Sequence, residues 1–551
     1  MLLFLVGFGG IAAKLVSLQA LSHDFLNKAG LEQRSRLETL EATRGRILDR
    51  NGAQLAVTVA APTIIANPKL IPDAAVAAEQ IAPIVGIDAA TLAKRFRQKN
   101  SSFAYVARQV DQSVADRVKA LAIPGIEFQS EPRRFYPSGD LASPVLGVVG
   151  IDDNGLAGSE YLLNHTLTGH SGSRREEVDQ FGRRIPETEQ HLKPAAPGKD
   201  VVLTMDSGIQ YEAQQALIDE VTRVNADGAV SLVMDLKTGD ILAAATVTKG
   251  EDGTVRAASG TDRNRPFTDV YEPGSTNKII TMSAAIESGL VGPQTVLDVP
   301  LTISQGGAFQ RDEHRAKGGP LSVTQIFEMS SNVGTIKIAQ LLGADRFDTA
   351  LRKFGFGSVS NVGFPGEASG VLLDRSNYSD TSMITMPIGY GIAVTPMQML
   401  DVFATIANDG VPVKPRLVLG TQLGGAFEAA PTPEPAGRVV SVSTARSVRG
   451  MLEGVVAATG GTGKKAQIPG YSVAGKTGTA LKAPYNKGEH FSSFAGFAPA
   501  SNPQLATIVV LDNARNEYYG GDVAAPAFKR IMSYALDVRH VPADQPLPAN
   551  Q

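Results

Sequence analysis

Strand patterns and helical patterns separate cleanly in the second half of the chain. Alternating or continuous apolar runs typical of strands cover residues 200–206, 229–235, 241–246, 471–479, 492–497 and 505–511. Helical periodicity covers residues 209–224 and 525–536, and further helices are predicted to begin at Ser275 and Leu321. Because strands open and close this region with helices between them, the pattern predicts a central antiparallel sheet flanked by helices, an α+β fold.

The first half of the chain has a mixed α/β pattern after an apolar start. A polar helical pattern covers residues 22–41, and an alanine-rich helix is predicted near residues 74–85. Residues 44–52 read Arg-Gly-Arg-Ile-Leu-Asp-Arg-Asn-Gly, a short strand followed by an Asn-Gly turn. On physical grounds alone this charged stretch is a solvated hairpin with salt bridges.

The apolar N-terminal run is a candidate membrane segment. Residues 1–13 carry no charge, and counting past Lys14 through Leu21 reaches the length of about 20 residues that spans a bilayer. A basic leader and a small-residue cleavage site are both missing, which argues against a removed signal peptide. We therefore expect an uncleaved transmembrane anchor at residues 1–21, with its cytoplasmic flank missing from the sequence.

Residues 193–199, Lys-Pro-Ala-Ala-Pro-Gly-Lys, predict a linker between regions of different pattern. The expected organisation is the anchor at 1–21, a first domain at 22–195, a second domain at 200–540 and a proline-rich flexible tail at 541–551. A chain of 551 residues is long enough for two or three domains, each with its own core.

Charge and cysteine content exclude several classes of function. The chain has 52 basic and 55 acidic residues and a formal net charge of -3, so no general attraction to nucleic acid is expected. It contains no cysteine, which excludes disulfides, zinc thiolates and iron–sulfur clusters. The compartment stays open, because an exported protein can lack disulfides.

The strongest candidate for catalysis is the stretch Tyr-Glu-Pro-Gly-Ser-Thr-Asn-Lys at residues 271–278. A proline and a glycine stop the preceding segment, so Ser275 is predicted to open a buried helix with Gly289 as its C-cap. Positions i and i+3 share a helix face, which places the Lys278 amine near the Ser275 hydroxyl. A lone Ser-x-x-Lys is nevertheless more often a helix cap followed by a solvated lysine.

A serine hydroxyl needs a proton acceptor before it becomes a good nucleophile. The chain has only seven histidines, and folding would have to bring His314 or His490 to the serine from a distance. A neutral lysine could serve instead if burial and nearby cations lowered its pKa from about 10.4 toward 7. Both possibilities are open at this point.

Two further stretches raise the probability of a serine–lysine site. Ser330-Ser331-Asn332 follows an apolar helical run and is predicted to project polar side chains beside buried surface. Lys476-Thr477-Gly478-Thr479 ends a strand, where its donors suit a carboxylate and its glycine permits close approach of a ligand. A second Lys-Thr-Gly at residue 237 reads as a hairpin turn. The order Ser-x-x-Lys, Ser-x-Asn, Lys-Thr-Gly is typical of penicillin-binding proteins and class A β-lactamases.

With these motifs the chain resembles a class B penicillin-binding protein, a membrane-anchored peptidoglycan D,D-transpeptidase. Residues 44–52, 134–137 and 494–499, together with Gly389-Tyr390-Gly391 and Thr395-Pro396, also resemble recurrent stretches of that family. The resemblance extends over nearly the whole chain and is stronger to the division-specific branch, called FtsI or penicillin-binding protein 3. Asn277 is a departure, since the family usually has an apolar residue there.

The resemblance implies a role for each motif residue. Ser275 would be the acylated nucleophile, Lys278 its base and Ser330 a proton relay. The substrate would be held by Asn332, Lys476, Thr477, Gly478 and Thr479, and the oxyanion by the backbone N–H groups of Ser275 and Thr479. No metal or cofactor is implied.

The resemblance also implies partners and a location. The donor would be a stem peptide ending in D-Ala-D-Ala, and β-lactams would acylate the same serine. The expected setting is the bacterial inner membrane at the division septum, with a single membrane pass and a periplasmic catalytic domain. A membrane-embedded glycan polymerase of the SEDS family and other divisome proteins would be partners, whereas nucleic acid would not.

Three alternatives remain at the level of sequence. Residues 470–477 satisfy the letters of a phosphate-binding P-loop, but a proline precedes them and they read as a strand rather than as a loop that opens a helix. A β-lactamase or D,D-carboxypeptidase would use the same acyl-serine with an activated water. A noncatalytic β-lactam sensor or division scaffold is the third class.

Overall fold

The computed structural model describes residues 1–18, 35–98, 100–177, 185, 191–312, 315–432 and 436–547. The chain forms two compact units. The first unit comprises Met1–Arg46, Thr58–Arg133 and His165–Asp200, and the second comprises Ile47–Val57, Arg134–Asn164 and Val201–Gln551. Each unit contains a hydrophobic core of its own. The finer domain boundaries given above remain predictions.

The first unit combines short helices with short strands. Its helices are Leu2–Val16, Ala74–Val85, Ala89–Phe96 and Gln112–Lys119, and its strands are Ser35–Leu40, Ala104–Ala107, Gly172–Glu177 and His191–Lys193. Some elements have residues in both units: the strands Gln54–Ala66, Ile126–Phe135 and Asp200–Leu203 and the helix Asn164–Leu167.

The alanine-rich helix is confirmed at Ala74–Val85. It begins where the Asp73 carboxylate accepts hydrogen bonds from two backbone N–H groups of the first turn, and it ends at Gly86, whose φ of 68° is left-handed. Its apolar face, with Ile81 fully buried, packs into the core of the first unit. This helix therefore follows from local signals alone.

The prediction of a polar helix over residues 22–41 is wrong for Ser35–Leu40. Residues 19–34 lie outside the described residues, but Ser35–Leu40 is a strand that pairs antiparallel with Gly172–Glu177. Its partner lies far along the chain, and that pairing overrides the local helical periodicity.

The apolar start of the chain is a helix of 15 residues, Leu2–Val16. Among the residues that the structure describes, no helix is both long and apolar enough to cross a membrane. The last three residues of the predicted anchor, 19–21, lie outside the described residues.

The charged stretch at residues 44–52 forms the predicted hairpin, in which Ile47–Leu48 pairs with Gln54–Ala66. The predicted solvation holds for Arg46, whose side chain is 45% exposed and forms a salt bridge with Asp200 at 2.6 Å. It is wrong for Arg44 and Asp49, which are each only 1% exposed. The Asp49 carboxylate accepts a hydrogen bond from the Ser207 hydroxyl at 2.7 Å and further bonds from backbone N–H groups of its own turn. Burial with full hydrogen bonding makes this carboxylate part of the structure of the second unit.

A six-stranded sheet forms the centre of the second unit. Its spatial order is Val255–Ala257, Ile241–Lys249, Gly228–Asp235, Leu505–Asp512, His490–Ala498 and Ala474–Leu481. Every neighbouring pair in this sheet is antiparallel. The predicted α+β fold with a central antiparallel sheet is confirmed, and the strand that carries Lys476 lies at an edge of the sheet.

Two long helices, Ser207–Val224 and Gly520–Val538, pack on this sheet and share its hydrophobic core. The other helices are Ser143–Leu146, Gly158–Leu162, Arg265–Thr268, Lys278–Glu287, Val323–Glu328, Asn332–Leu342, Ala344–Lys353, Ser382–Thr385, Pro396–Ala407 and Val442–Ala457. The 3-10 helices are Gly274–Asn277, Arg375–Asn377, Met386–Ile388 and Lys464–Ala466. The remaining strands are Ile47–Leu48, Val296–Val299, Thr302–Gln305, Ala308–Arg311, Gly319–Ser322, Val418–Leu423 and Ala426–Ala429.

The start of the predicted flexible tail is held in place. The Asp544 carboxylate accepts hydrogen bonds from the backbone N–H of Ser472 at 2.8 Å and from the hydroxyl of Ser501 at 2.5 Å. The hydroxyl of Tyr471 donates to the carbonyl of Val541 at 2.7 Å. Residues 541–544 are therefore bound to the second unit rather than loose, and residues 548–551 lie outside the described residues.

Candidate active site

Ser275 lies in a tight turn at the start of a buried helix. The 3-10 helix Gly274–Asn277 continues directly into the helix Lys278–Glu287, and Gly289 follows with a left-handed φ of 67°. Gly274 also has a left-handed φ, 54°, and a Cβ there would lie 3.0 Å from the carbonyl oxygen of Thr479. The prediction that Ser275 opens a buried helix is confirmed, with one 3-10 turn before the α-helix begins.

The Lys278 side chain is fully buried and points to the Ser-x-Asn stretch. Its Nζ donates to the Ser330 carbonyl at 2.6 Å, to the Ser330 hydroxyl at 3.1 Å and to Asn332 Oδ1 at 2.7 Å. An ammonium has three donors, so these acceptors use all of them. Burial lowers the pKa of Lys278 well below its ordinary value, the Lys476 charge lowers it further, and the Asp312 carboxylate opposes the shift.

Ser330 occupies a strained position between two helices. It follows the helix Val323–Glu328, has a left-handed φ of 58°, and precedes the helix that Asn332 opens. A non-glycine residue in this region is uncommon and marks a position that the surrounding structure constrains. The constraint places the Ser330 carbonyl and hydroxyl toward the same lysine.

Lys476 reaches Ser330 from the edge strand of the sheet. Its Nζ donates to the Ser330 hydroxyl at 2.9 Å and to the carbonyl of Thr477 at 3.3 Å. The side chain is fully buried, and burial lowers the pKa of Lys476 to about 7. The hydroxyl of Ser330 therefore accepts from both lysines.

The rest of the Lys-Thr-Gly-Thr strand contacts the other side of the site. The hydroxyls of Thr477 and Thr462 lie 2.8 Å apart, and the hydroxyl of Thr479 accepts from the backbone N–H of Gly520 at 3.0 Å. A Cβ at Gly478 would lie 2.9 Å from the Pro273 carbonyl, and closer still to another side chain. Gly478 therefore lets the nucleophile turn pack against the strand, whereas the sequence suggested room for a ligand.

These elements enclose a cavity of about 370 Å³. Five of the predicted site residues line this cavity: Ser275, Ser330, Asn332, Thr477 and Thr479. The two lysines meet at the Ser330 hydroxyl. The structure thus brings the three motifs together. Its other lining residues include Asp312, Arg315, Tyr390, Thr462, Leu481, His490, Tyr518, Tyr519 and Asp522.

His490, one of the two histidines considered as a base, also lines this cavity. Its ring stacks on Tyr518 with centroids 4.3 Å apart and planes inclined by 14°. His314, the other candidate, lies outside the described residues. Placement alone therefore leaves His490 as a candidate base beside the lysines that meet at Ser330.

Sequence reasoning missed Asp312, which is 4% exposed and supports the Ser-x-Asn stretch. It accepts from the Ser331 hydroxyl at 2.6 Å, from the backbone N–H of Val333 at 3.0 Å and from Arg315 at 3.0 Å. In the sequence it belongs to the run Arg-Asp-Glu-His-Arg, which is typical of a solvated surface. No local signal distinguishes it from such a surface.

The structure contradicts the P-loop alternative. Lys476 lies within the strand Ala474–Leu481, which pairs along its whole length with the neighbouring strand. A P-loop lysine must instead lie at the start of a helix. The other Lys-Thr-Gly forms the predicted hairpin turn, where the Asp235 carboxylate accepts from the backbone N–H groups of Lys237 and Thr238.

A Ser-x-x-Lys turn facing a Ser-x-Asn element and a Lys-Thr-Gly edge strand is the arrangement of the penicillin-recognising serine enzymes. The family description "Penicillin binding protein transpeptidase domain" matches residues 229–533, and "Penicillin-binding Protein dimerisation domain" matches residues 39–203. The chain belongs to the penicillin-binding proteins, and the resemblance to the class B members is confirmed.

Relatives align with this chain over nearly its whole length. It is 34% identical to the probable peptidoglycan D,D-transpeptidase PenA of Neisseria meningitidis, with 98% of this chain and 92% of that protein covered. It is also 34% identical to the peptidoglycan D,D-transpeptidase FtsI of Escherichia coli, with 98% and 91% covered. For the penicillin-binding protein PbpB of Mycobacterium tuberculosis, the identity is 36% and the coverage is 91% and 78%.

Solved structures share the fold. A peptidoglycan synthetase from Bifidobacterium adolescentis superposes with a TM-score of 0.74 at 28% identity, covering 94% of this chain and all of that one. Penicillin-binding protein 3 from Mycobacterium tuberculosis, complexed with aztreonam, superposes with a TM-score of 0.70 at 31% identity, covering 93% and 100%.

Proposed function

We propose that this protein is a peptidoglycan D,D-transpeptidase that works through an acyl-serine and is inhibited covalently by β-lactams. One observation carries the proposal: two buried lysines of lowered pKa meet at the Ser330 hydroxyl in the cavity that Ser275 lines. The relatives named as peptidoglycan D,D-transpeptidases support it. The solved relative that holds aztreonam supports the inhibition.

In acylation, Ser275 Oγ attacks the carbonyl between the two terminal D-Ala residues, and its proton passes to neutral Lys278. The tetrahedral oxyanion is held by the backbone N–H groups of Ser275 and Thr479. Collapse breaks the peptide bond, and the departing D-Ala amine takes a proton through Ser330. The products are the acyl-serine ester and free D-Ala.

In the second half, the amine of a neighbouring stem peptide attacks the ester and displaces Ser275. The new amide is the cross-link, and the proton lost by the amine returns to the serine through the same base. In the first half, before the terminal D-Ala departs, Asn332 holds the donor amide, while Lys476, Thr477 and Thr479 hold the carboxylate of that D-Ala. Gly478 lets the nucleophile turn pack against this strand. Hydroxyl and ammonium groups on one strand suit a carboxylate, because they donate hydrogen bonds to its oxygens.

Intact-mass analysis after exposure to a penicillin tests this proposal. We expect a long-lived adduct that peptide mapping assigns to Ser275, and no adduct in Ser275→Ala. Mapping to another residue would overturn the assignment. Rapid turnover of the drug would instead indicate a β-lactamase, and release of D-Ala without cross-linking would indicate a carboxypeptidase.

We also propose a place for the enzyme in the cell. The relative named FtsI and the resemblance to the division-specific branch support septal cross-linking at the inner membrane, with a single-pass anchor at residues 1–21 and a periplasmic catalytic domain. A SEDS-family polymerase and other divisome proteins would dock on the first domain, residues 22–195. A fluorescent fusion that failed to gather at division sites would contradict the septal role.

A further inference from the structure

A short turn beside the nucleophile is held by side chains that have no role in the proposed chemistry. This turn, residues 386–391, consists of the 3-10 helix Met386–Ile388 and the three residues after it. Asn277 is fully buried at the end of the Ser275 turn, and its Nδ2 donates to the Met386 carbonyl at 2.8 Å. The same carbonyl accepts from the backbone N–H of Gly389 at 3.0 Å. The Asn277 amide therefore holds the same carbonyl oxygen that closes the 386–391 turn.

Two further contacts join the 386–391 turn to the nucleophile element. The Thr281 hydroxyl donates to the Pro387 carbonyl at 3.3 Å, and the Gly274 backbone N–H donates to the Gly389 carbonyl at 3.2 Å. The approach is close, since a Cβ at Gly389 would lie 2.1 Å from the Gly274 carbonyl oxygen. Any displacement of this turn would therefore be transmitted to the residue before Ser275.

The far side of the same turn forms part of the cavity wall. The Tyr390 hydroxyl accepts from the backbone N–H of Leu481 at 3.2 Å, and both residues line the cavity with Ser275. The Glu272 carboxylate accepts from the backbone N–H of Gly391 and from the hydroxyl of Tyr485, both at 2.7 Å. The 386–391 turn thus connects the nucleophile to the edge strand that carries the Lys-Thr-Gly motif.

Asn277 occupies this position at a cost. Its Oδ1 is buried and has no hydrogen-bond partner among the residues that the structure describes. An unpaired buried acceptor disfavours the fold, and an apolar residue of similar shape would avoid that penalty. A buried polar residue with an unpaired atom conflicts with the packing of an apolar core. Such conflicts are expected at functional positions.

We propose that Asn277 is a positioning residue for acylation. Asn277 holds the Met386 carbonyl and thereby fixes the 386–391 turn. This turn fixes the position of Gly274 on one side and of Tyr390 on the other. Ser275 is thereby set against the ligand, while Asn277 takes no part in proton transfer. This inference rests on the proposed acyl-serine chemistry.

The test compares Asn277→Leu with two variants on the helix that follows it, Lys278–Glu287. For each protein, stopped-flow labelling with a fluorescent penicillin gives the acylation rate at saturation and the initial binding constant, and calorimetry gives the unfolding midpoint. Asn277→Leu is expected to slow saturated acylation by about ten- to a hundredfold, the range for misplaced reacting groups. Its unfolding midpoint should stay unchanged or rise, because the unpaired acceptor is removed.

The two other variants should show a smaller effect and no effect, respectively, on the acylation rate. Thr281→Val removes the longer bond to the same turn, so its acylation rate should fall less than that of Asn277→Leu. Ser283→Ala is the matched control, since the Ser283 hydroxyl donates to Ile279 within its own helix, and it should acylate at the unsubstituted rate. The pH midpoint of acylation should be the same in all three, because the contacts of Lys278 are untouched.

A double-mutant cycle tests the route through the cavity wall. Tyr390→Phe removes the hydroxyl that Leu481 contacts, and adding it to Asn277→Leu should cost less than the product of the two single effects. Independent effects would overturn the proposal, as would unchanged acylation in Asn277→Leu or an unfolding midpoint that falls together with the rate. Absence of any adduct on the unsubstituted protein would overturn the proposed function itself, which keeps the two failures distinct.

Discussion

Two lysine amines share one hydroxyl oxygen at the centre of the site. Lys278 Nζ lies 3.1 Å and Lys476 Nζ 2.9 Å from Ser330 Oγ, and both side chains are fully buried. Two ammonium groups held this close in a buried site repel each other, so neutrality of one of them is favoured. Since a hydroxyl both donates and accepts, Ser330 can pass a proton between the amines.

This arrangement predicts that Lys278, and not the histidine of the same cavity, is the base. Lys278→Ala should slow acylation of Ser275 by about 10² to 10⁴, the range for loss of a general base, with a smaller effect on initial binding. His490→Ala is the matched control and should acylate at close to the unsubstituted rate. Stopped-flow labelling with a fluorescent β-lactam measures both, and the reverse order of effects would transfer the role to His490.

The same residues predict how acylation depends on pH. Lys278 must lose its proton to act, so acylation should rise with pH through the lowered pKa of Lys278. Lys476 must keep its charge to hold a carboxylate, so the second-order rate constant should fall as pH rises through about 7. Lys476→Arg keeps the charge at every pH and should lose this alkaline limb, though its absolute rate should be lower. An alkaline limb that survives in Lys476→Arg would remove Lys476 from that role.

Stability should rise with pH because the pKa of Lys476 is lower in the folded protein than in the unfolded chain. Between about 7 and the unfolded value near 10.4, the unfolded chain binds a proton at Lys476 that the folded chain has lost. The free energy of unfolding should therefore rise with pH over this window, and below about 7 the penalty for burying the charge is fully present. Lys476→Met should flatten the rise in thermal unfolding midpoint between pH 7 and 10, and an unchanged slope would contradict the lowered pKa.

At the scale of elements, the sequence predicts what local chemistry determines. The strands at both ends of the second unit, the helix after Ser275 and the turn at Lys237 follow from periodicity, proline and glycine. The motif residues also meet as expected, although the Lys-Thr-Gly-Thr residues lie inside the strand Ala474–Leu481 and not at the strand end that the sequence predicted. The fold class and most of the site were therefore predictable.

Elements that depend on distant partners were not predictable in this way. Ser35–Leu40 becomes a strand only by pairing with Gly172–Glu177, and Asp312 becomes part of the site only by receiving the Ser331 hydroxyl. Gly478 is a third example, because its lack of a side chain lets the Pro273 carbonyl pack against the strand. In each case the deciding contact is absent from the local pattern.

Two glycines of the 386–391 turn allow an element-scale prediction with a matched control. Gly389 and Gly391 both have a left-handed φ, 87° and 74°, so alanine brings similar backbone strain at either position. Only at Gly389 would the new Cβ collide, at 2.1 Å from the Gly274 carbonyl, whereas at Gly391 the nearest atom is 3.8 Å away. Gly389→Ala should therefore slow penicillin labelling far more than Gly391→Ala. Equal losses in the two variants would show that strain alone matters.

At the scale of the whole molecule, the two units have separate cores, and the family match to residues 39–203 includes segments of both units. The core of the first unit is built from the strands and helices between residues 64 and 118, and that of the second from the central sheet and its two long helices. The dimerisation description matches residues 39–203 and the transpeptidase description 229–533. We interpret the first domain, residues 22–195, as a noncatalytic pedestal and docking surface.

The pedestal interpretation predicts that acylation and partner binding can be separated. Leu70 and Val76 of the first unit are 55% and 50% exposed, as expected of apolar groups available to a partner. Leu70→Gln and Val76→Gln should leave penicillin acylation of the purified protein within about threefold, because substitutions at sites without shared partners usually act independently. The same substitutions should reduce co-purification of the polymerase from membranes, with exposed Lys94→Gln as the control. Slower acylation in a variant that remains folded would show instead that the first domain helps to build or gate the active site.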